Sequence, residues 1–183
     1  MKPGDLVLNK QIGDDQIFIR HMEETDGTIM WKYINELSQE KTFVTFQGEE
    51  ITIEEEEKHV ADVLKKIHEH KIVKLLLFVN EELSGICEVG LMGRVHSHVG
   101  GLGLSLSKNV RGRGLGRLLI ETTVKEATEK LPGLHMIELT VFATNDIAQK
   151  LYESCGFKEV GRISEKIKHH GEFVDEIIMI KKV

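Results

Sequence analysis

In SKNVRGRGLGRLL, Ser107 to Leu119, Gly112, Gly114 and Gly116 are interleaved with Arg111, Arg113 and Arg117. The stretch stands where alternating leucines give way to an apolar helical pattern. Glycine there lets the backbone approach an anion closely, and the free N–H groups of the new helix point at it. The arginines and Lys108 would add charge-assisted contacts to phosphate oxygens. Two nucleotide motifs fail: no Lys-Ser or Lys-Thr follows for GxxxxGK[ST], and the last glycine of GxGxxG is replaced by Arg117 or Leu119. The competing reading is a glycine-rich turn that holds no ligand.

The elements around this loop follow from periodicity. QIFIRHM reads as a strand, and DGTIMWKYINELSQE carries Ile29, Met30, Tyr33 and Leu37 near helical spacing, with Asp26 placed as a cap. In TIEEEEKHVADVLKKIHEH, Thr52 and Glu55 have capping-box spacing before a one-sided apolar face. The run Glu54 to Glu57 reads as a solvated helix start favoured by the helix dipole rather than a cation site. KIVKLLLFVN and LSGICEVGLMGR read as a hairpin across EEL, and Leu102, Leu104 and Leu106 alternate as one face of the next strand. LGRLLIETTVKEATEK is helical up to Pro132-Gly133, HMIELTVFAT is a buried strand, and NDIAQKLYESCGF is a helix capped by Asn145 and stopped near Gly156. FKEVGRISEKIK and EFVDEIIMIKKV close the chain as a hairpin turning at HHG. The order predicts an α/β (α+β) fold: one mixed, mostly antiparallel sheet of about seven strands with helices on both faces. Residues 1–15, in which Leu6 to Leu8 reads as an extended segment, are expected to be an N-terminal extension and 16–183 the domain.

Composition narrows the function. The 183 residues, 40% hydrophobic and 30% charged, suit one globular domain, and no apolar run is long enough for a membrane helix. The net charge of −6 argues against non-specific nucleic-acid binding and favours approach of a cationic substrate. MKPGDLVLNKQIGDDQIF lacks the pattern of a secretory signal, so a cytoplasmic protein is expected. Cys87 and Cys155 suit reduced thiols, and the pairs His96/His98 and His169/His170 lack a third ligand, so no metal is expected.

Arg111-Gly112-Arg113-Gly114-Leu115-Gly116 resembles the [Q/R]xxGx[G/A] pyrophosphate loop of the GNAT superfamily of N-acetyltransferases. LTVFATNDIAQKLYESCGFKEVG resembles that family's second signature, with Asn145 followed by an Ala-x-x-Leu-Tyr helix. The C-terminal strand is similar to the bacterial branch that acetylates small amines, amino acids or ribosomal-protein N-termini. The resemblance implies acetyl-CoA as cosubstrate, no metal, a small-molecule or peptide amine as acceptor and direct transfer. It also implies a sheet that splays after its fourth strand, and homodimers are common in the family.

Carried onto this chain, the resemblance places cofactor contacts at the backbone of Leu104, Ser105 and Leu106, at Arg111, Gly112, Arg113, Gly114, Leu115, Gly116 and Arg117, and at Asn145. Gly101 and Gly103 would suit a bulge. The Leu106 N–H is the expected oxyanion donor. Tyr152 matches the family's general acid, against the alternative of a ring packed at the helix–sheet boundary with its hydroxyl satisfied. Asn145 either bonds the cofactor or caps its helix, or does both. The base is left between Glu88 and His98, each of which has a solvent-exposed or structural alternative. Asp175 and Glu176 either greet a cationic acceptor or form the outer side of an edge hairpin. A CoA-binding sensor that lost catalysis is the alternative function.

Overall fold

A computed structural model describes residues 1–183. The strands are β1 (Leu6–Ile12), β2 (Asp15–His21), β3 (Ile72–Val79), β4 (Glu82–Leu91), β5 (Val99–Leu106), β6 (Met136–Phe142), β7 (Lys158–His169) and β8 (Glu172–Lys182). The helices are α1 (Gly27–Gln39), α2 (Ile53–His68), α3 (Leu115–Lys130) and α4 (Asp146–Ser154). All eight strands form one sheet in the order β1-β2-β3-β4-β5-β6-β8-β7. Every pairing is antiparallel except β5 with β6.

The eighth strand lies in the expected extension. Leu6–Ile12 pairs with β2 around a turn through Gly13, at φ +60°, so part of residues 1–15 is sheet. The β3–β4 hairpin turns at Asn80-Glu81 rather than through EEL, both residues having positive φ, as a tight primed turn demands. His170-Gly171 does the same between β7 and β8.

Strand β3 is buried throughout and divides the core. Val73, Leu75, Leu77 and Val79 face a cluster with α3 and with Tyr152, Cys155 and Phe157 at the α4 end of the chain. Ile72, Leu76 and Phe78 face Met30 of α1 and Val60, Val63 and Ile67 of α2. The sheet is therefore a partition between two apolar layers, and side-chain alternation decides which layer each residue enters.

Helix α2 begins with the expected capping box: Thr52 Oγ1 accepts from Glu55 N–H at 3.2 Å and Glu55 returns a bond to Thr52 N–H at 2.8 Å. Asp26 does not cap α1 with its side chain. Its buried carboxylate takes the Arg20 guanidinium at 2.8 Å and the Glu23 N–H at 2.8 Å instead.

Candidate active site

Strand β5 pairs with β4 in unbroken register from Gly100 to Leu106, so Gly101 and Gly103 form no bulge there. Against β6 it pairs only at Val99, Gly100 and Gly101, and beyond that the two strands part. The opening therefore follows the fifth strand of eight, which is the fourth once β1 is set aside. Ser107 N–H donates to Ser84 carbonyl at 2.9 Å. Antiparallel alternation then turns Gly103 and Ser105 toward β4, and turns the N–H groups of Leu104 and Leu106 toward the opening. Of the three expected residues, Ser105 is thus spent on β4, and its hydroxyl accepts from Tyr33 at 2.9 Å.

At the end of β5 a single turn, Lys108–Val110, leads to Gly112 at φ +74° and Gly114 at φ +77°. No atom lies within 4 Å of where a side chain would start on either glycine, so conformation rather than crowding requires glycine there. Gly116 differs: a Cβ would meet Leu106 and Leu151 side chains at 3.1 Å, so its absence lets α3 close onto β5 and α4. The backbone N–H groups of residues 112–117 have no partner in the chain. They form an anion cradle at the positive end of a 16-residue helix.

The arginines are less free than their sequence suggests. Arg111 donates twice to Leu106 carbonyl, at 3.0 and 2.7 Å, and pairs with Glu40 at 2.7 Å. Arg113 pairs with Asp15, and Arg117 with Glu121 at 2.8 Å. Arg111 and Arg117 border the cleft, whereas Arg113 does not, and the Leu115 side chain is buried in the core. Each arginine already holds a carboxylate, whereas the backbone N–H groups of the loop hold nothing in the chain.

A cleft of about 1430 Å³ runs from Gly112, Gly114 and Gly116 along β5 to the segment Thr42–Gln47 and the β7–β8 hairpin. Asn145 borders it while its Oδ1 accepts from Ala148 N–H at 3.1 Å, so it caps α4. Its amide nitrogen donates to nothing in the chain. Tyr152 also borders the cleft, 8% exposed, and its hydroxyl has no hydrogen bond within the protein. Burial pushes the phenol well above its ordinary value, with smaller contributions from Cys87 and Cys155, so it stays protonated. Burial likewise pushes Cys87 up to about 12 and raises Cys155, which leaves neither thiol as a nucleophile.

Glu88 lies opposite Lys74 on β3 and Gly103 on β5, hence on the α2 face of the sheet. Tyr152 packs in the α3 layer. The two groups occupy opposite faces, and the parting of β5 from β6 joins those faces. His98 is not brought to this place. It is exposed before the first residue of β5, and its carbonyl accepts from His135 and Met136 N–H at the closed end. At about 3.3 Å per residue that end is roughly 25 Å from Leu106.

Glu176 borders the cleft in an ion pair with Lys166. Asp175 turns outward, accepting from Glu165 N–H at 3.0 Å where β7 bulges. The mouth is crossed by an aromatic contact: Phe43 meets Phe142 at 5.6 Å and His169 at 5.4 Å between ring centres. His169 Nε2 also lies 3.1 Å from Thr42 carbonyl.

Sequence reasoning passed over three residues of the cleft wall. Lys74 is 5% exposed, Glu56 is buried in a run read as solvated, and His59 follows it by one helical turn. The available signal was a lysine inside the apolar run KIVKLLLFVN.

The fold has many solved counterparts. One is an acetyltransferase of the GNAT family from Streptococcus pneumoniae, 28% identical, TM-score 0.83, with 91% of this chain and 99% of that chain covered. A ribosomal-protein-alanine N-acetyltransferase from Brucella melitensis is 21% identical, with TM-score 0.77 over 90% and 99%. A spermidine N-acetyltransferase from Vibrio cholerae, solved with CoA and spermine, is 24% identical, with TM-score 0.73 over 91% and 95%. A comparison with curated proteins gives no match. The family profile described as Acetyltransferase (GNAT) family matches residues 31–157, spanning the glycine loop, the parted strand and the Tyr152 helix. The chain belongs to the GNAT acetyltransferase family.

Proposed function

We propose that the protein transfers the acetyl group of acetyl-CoA to a primary amine of a small molecule or peptide by direct attack. The observation that carries this reading is the parting of β5 from β6 beside a helix N-terminus whose six N–H groups, from 112 to 117, are unpaired. The residues present fit the cosubstrate. Residues 112–117 would hold the pyrophosphate, and the edge of β5 at Leu104 and Leu106 would pair with the amide-bearing arm. When bound, acetyl-CoA supplies an activated acyl group. The solved relatives bound to CoA support the same seat.

The protein's own groups then divide the work. Glu88 takes a proton from the incoming ammonium, which at an ordinary amine value of about 10.4 is mostly non-nucleophilic at neutral pH. The Leu106 N–H faces the place where negative charge develops on the acyl oxygen. Tyr152 gives its proton to the departing sulfur, and its raised value keeps that proton available across the working range. The relatives named for ribosomal-protein alanine and for spermidine support an amine acceptor of either size.

The test is thiol release from acetyl-CoA over a panel of polyamines, amino acids, aminoglycosides and N-terminal peptides, beside thermal stabilisation by CoA, ATP and NAD. CoA alone should stabilise, by about 2.7 kcal/mol at 100 times Kd, and at least one amine should be turned over. Tight CoA binding without turnover on any amine would replace the enzyme by a CoA-binding module.

A further inference from the structure

Lys74 is the polar exception of β3. Its neighbours Val73, Leu75, Leu76 and Leu77 are fully buried, and Lys74 itself is nearly so. An ammonium in that position is costly unless its donors are used. Two of the three are directed at partners on neighbouring elements: Nζ lies 3.0 Å from Glu88 Oε2 on β4 and 3.2 Å from His59 Nε2 on α2. An ammonium has donors only, so the His59 Nε2 must accept, which fixes the neutral tautomer with its proton on Nδ1.

The other charges around this group are accounted for. Glu56, buried one turn before His59, also feels Lys74, and burial pushes its carboxyl upward. Asp62 and Lys66 act on His59 from farther along α2. Strand β5 offers only Gly103 opposite Glu88, and on β2 Arg20 is committed to Asp26. Desolvation first, and then the Lys74 charge, hold His59 below its ordinary range.

We infer that Lys74 is a positioning residue for the amine-activating step: anchored on His59, it holds Oε2 of Glu88 and leaves Oε1 over Gly103, facing the cleft. This rests on Glu88 acting as the base. Glu88 Oε1 takes one proton from the ammonium and passes it to solvent, and the freed nitrogen bonds the acyl carbon as the carbon–sulfur bond breaks. The leaving sulfur takes a proton from Tyr152, and the second nitrogen proton returns through solvent to the tyrosinate. Lys74 neither gains nor loses a proton in the step.

Three variants, Lys74→Met, Lys74→Gln and Glu88→Gln, are compared with wild type on two probes. Spermidine must be deprotonated before it attacks, and hydroxylamine is already largely unprotonated at neutral pH. Lys74→Met and Lys74→Gln should lower kcat on spermidine by about 100-fold, leave CoA stabilisation intact and barely change transfer to hydroxylamine. Equal slowing on both probes would mean a structural role and overturn the inference. Nitrogen-15 NMR of His59 in the wild-type protein supplies an arm that needs neither turnover nor a folded variant. The Nδ1–H tautomer is expected at pH 7, and a protonated Nε2 would overturn the inference. Full spermidine turnover in Glu88→Gln would remove Glu88 as base while the His59 result still reads the Lys74 contact, so the two failures are distinguishable.

Discussion

Replacing Tyr152 by Phe separates chemistry from packing in one residue. The ring belongs to the α3-side core, touching Phe157 edge-on at 6.0 Å between centres, and phenylalanine keeps all of that contact. The hydroxyl bonds to nothing in the protein and borders the cleft, so its removal should change stability by no more than about 0.5 kcal/mol. A hydroxyl with a buried partner would cost about 1 kcal/mol or more. Loss of a general acid should slow turnover by about 10² to 10⁴, which is roughly 2.7 to 5.4 kcal/mol of barrier. Rates are read by a thiol reagent at saturating acetyl-CoA, and stability by urea unfolding. Cys87 and Cys155 add little background because burial raises both thiols. The phenol's raised value also fixes a sign: the folded protein keeps this proton above the ordinary tyrosine value of about 10, whereas the unfolded chain loses it. Wild-type stability should therefore fall as pH climbs past about 10, and less steeply in the variant. Wild-type turnover in Tyr152→Phe, or a stability loss well above 1 kcal/mol, would refute the assignment.

Gly114→Ala should cost about 1 kcal/mol from its φ of +77° without any clash, and the thermal shift produced by CoA should shrink as the cradle distorts. Asp26→Ala leaves the Arg20 guanidinium without its main partner, and urea unfolding should show a loss of about 3 kcal/mol. Burial lowers His21 despite its contact with Glu126 at 3.1 Å. The unfolded chain therefore binds a proton at pH values where the folded one does not. Stability should drop as pH falls below about 6.5, and a His21→Phe variant should lose that acid-side slope.

The turn at the glycine loop, the α4 cap and the helical position of Tyr152 were legible because each is local. Turn chemistry, capping and helical spacing write themselves into a few consecutive residues. Strand β1 was legible only as a short extended segment at Leu6 to Leu8, since LVLNKQI has no strict alternation and its full length is set by pairing with β2. The arginines misled for a related reason. Their partners Asp15 and Glu40 are distant in sequence, so charge at the loop read as free when it was already paired. Placing Glu88 and His98 needed register: Glu88 meets Lys74 across one ladder and Gly103 across the next, while His98 falls at the closed end. Glu56 was hidden by its company, one inward carboxylate among outward ones on the same helical turn.

The short ladder between β5 and β6 makes the sheet a pair of leaves. One leaf, β1 to β5, carries Glu88; the other, β6 to β8, runs through α4 and carries Tyr152. They are joined by three residues on each side at one end and by the Phe43, Phe142 and His169 contact at the other. The distance from Glu88 to Tyr152 is thus set by how the two leaves are fastened at both ends. A substitution in that aromatic contact would alter this distance without touching either Glu88 or Tyr152.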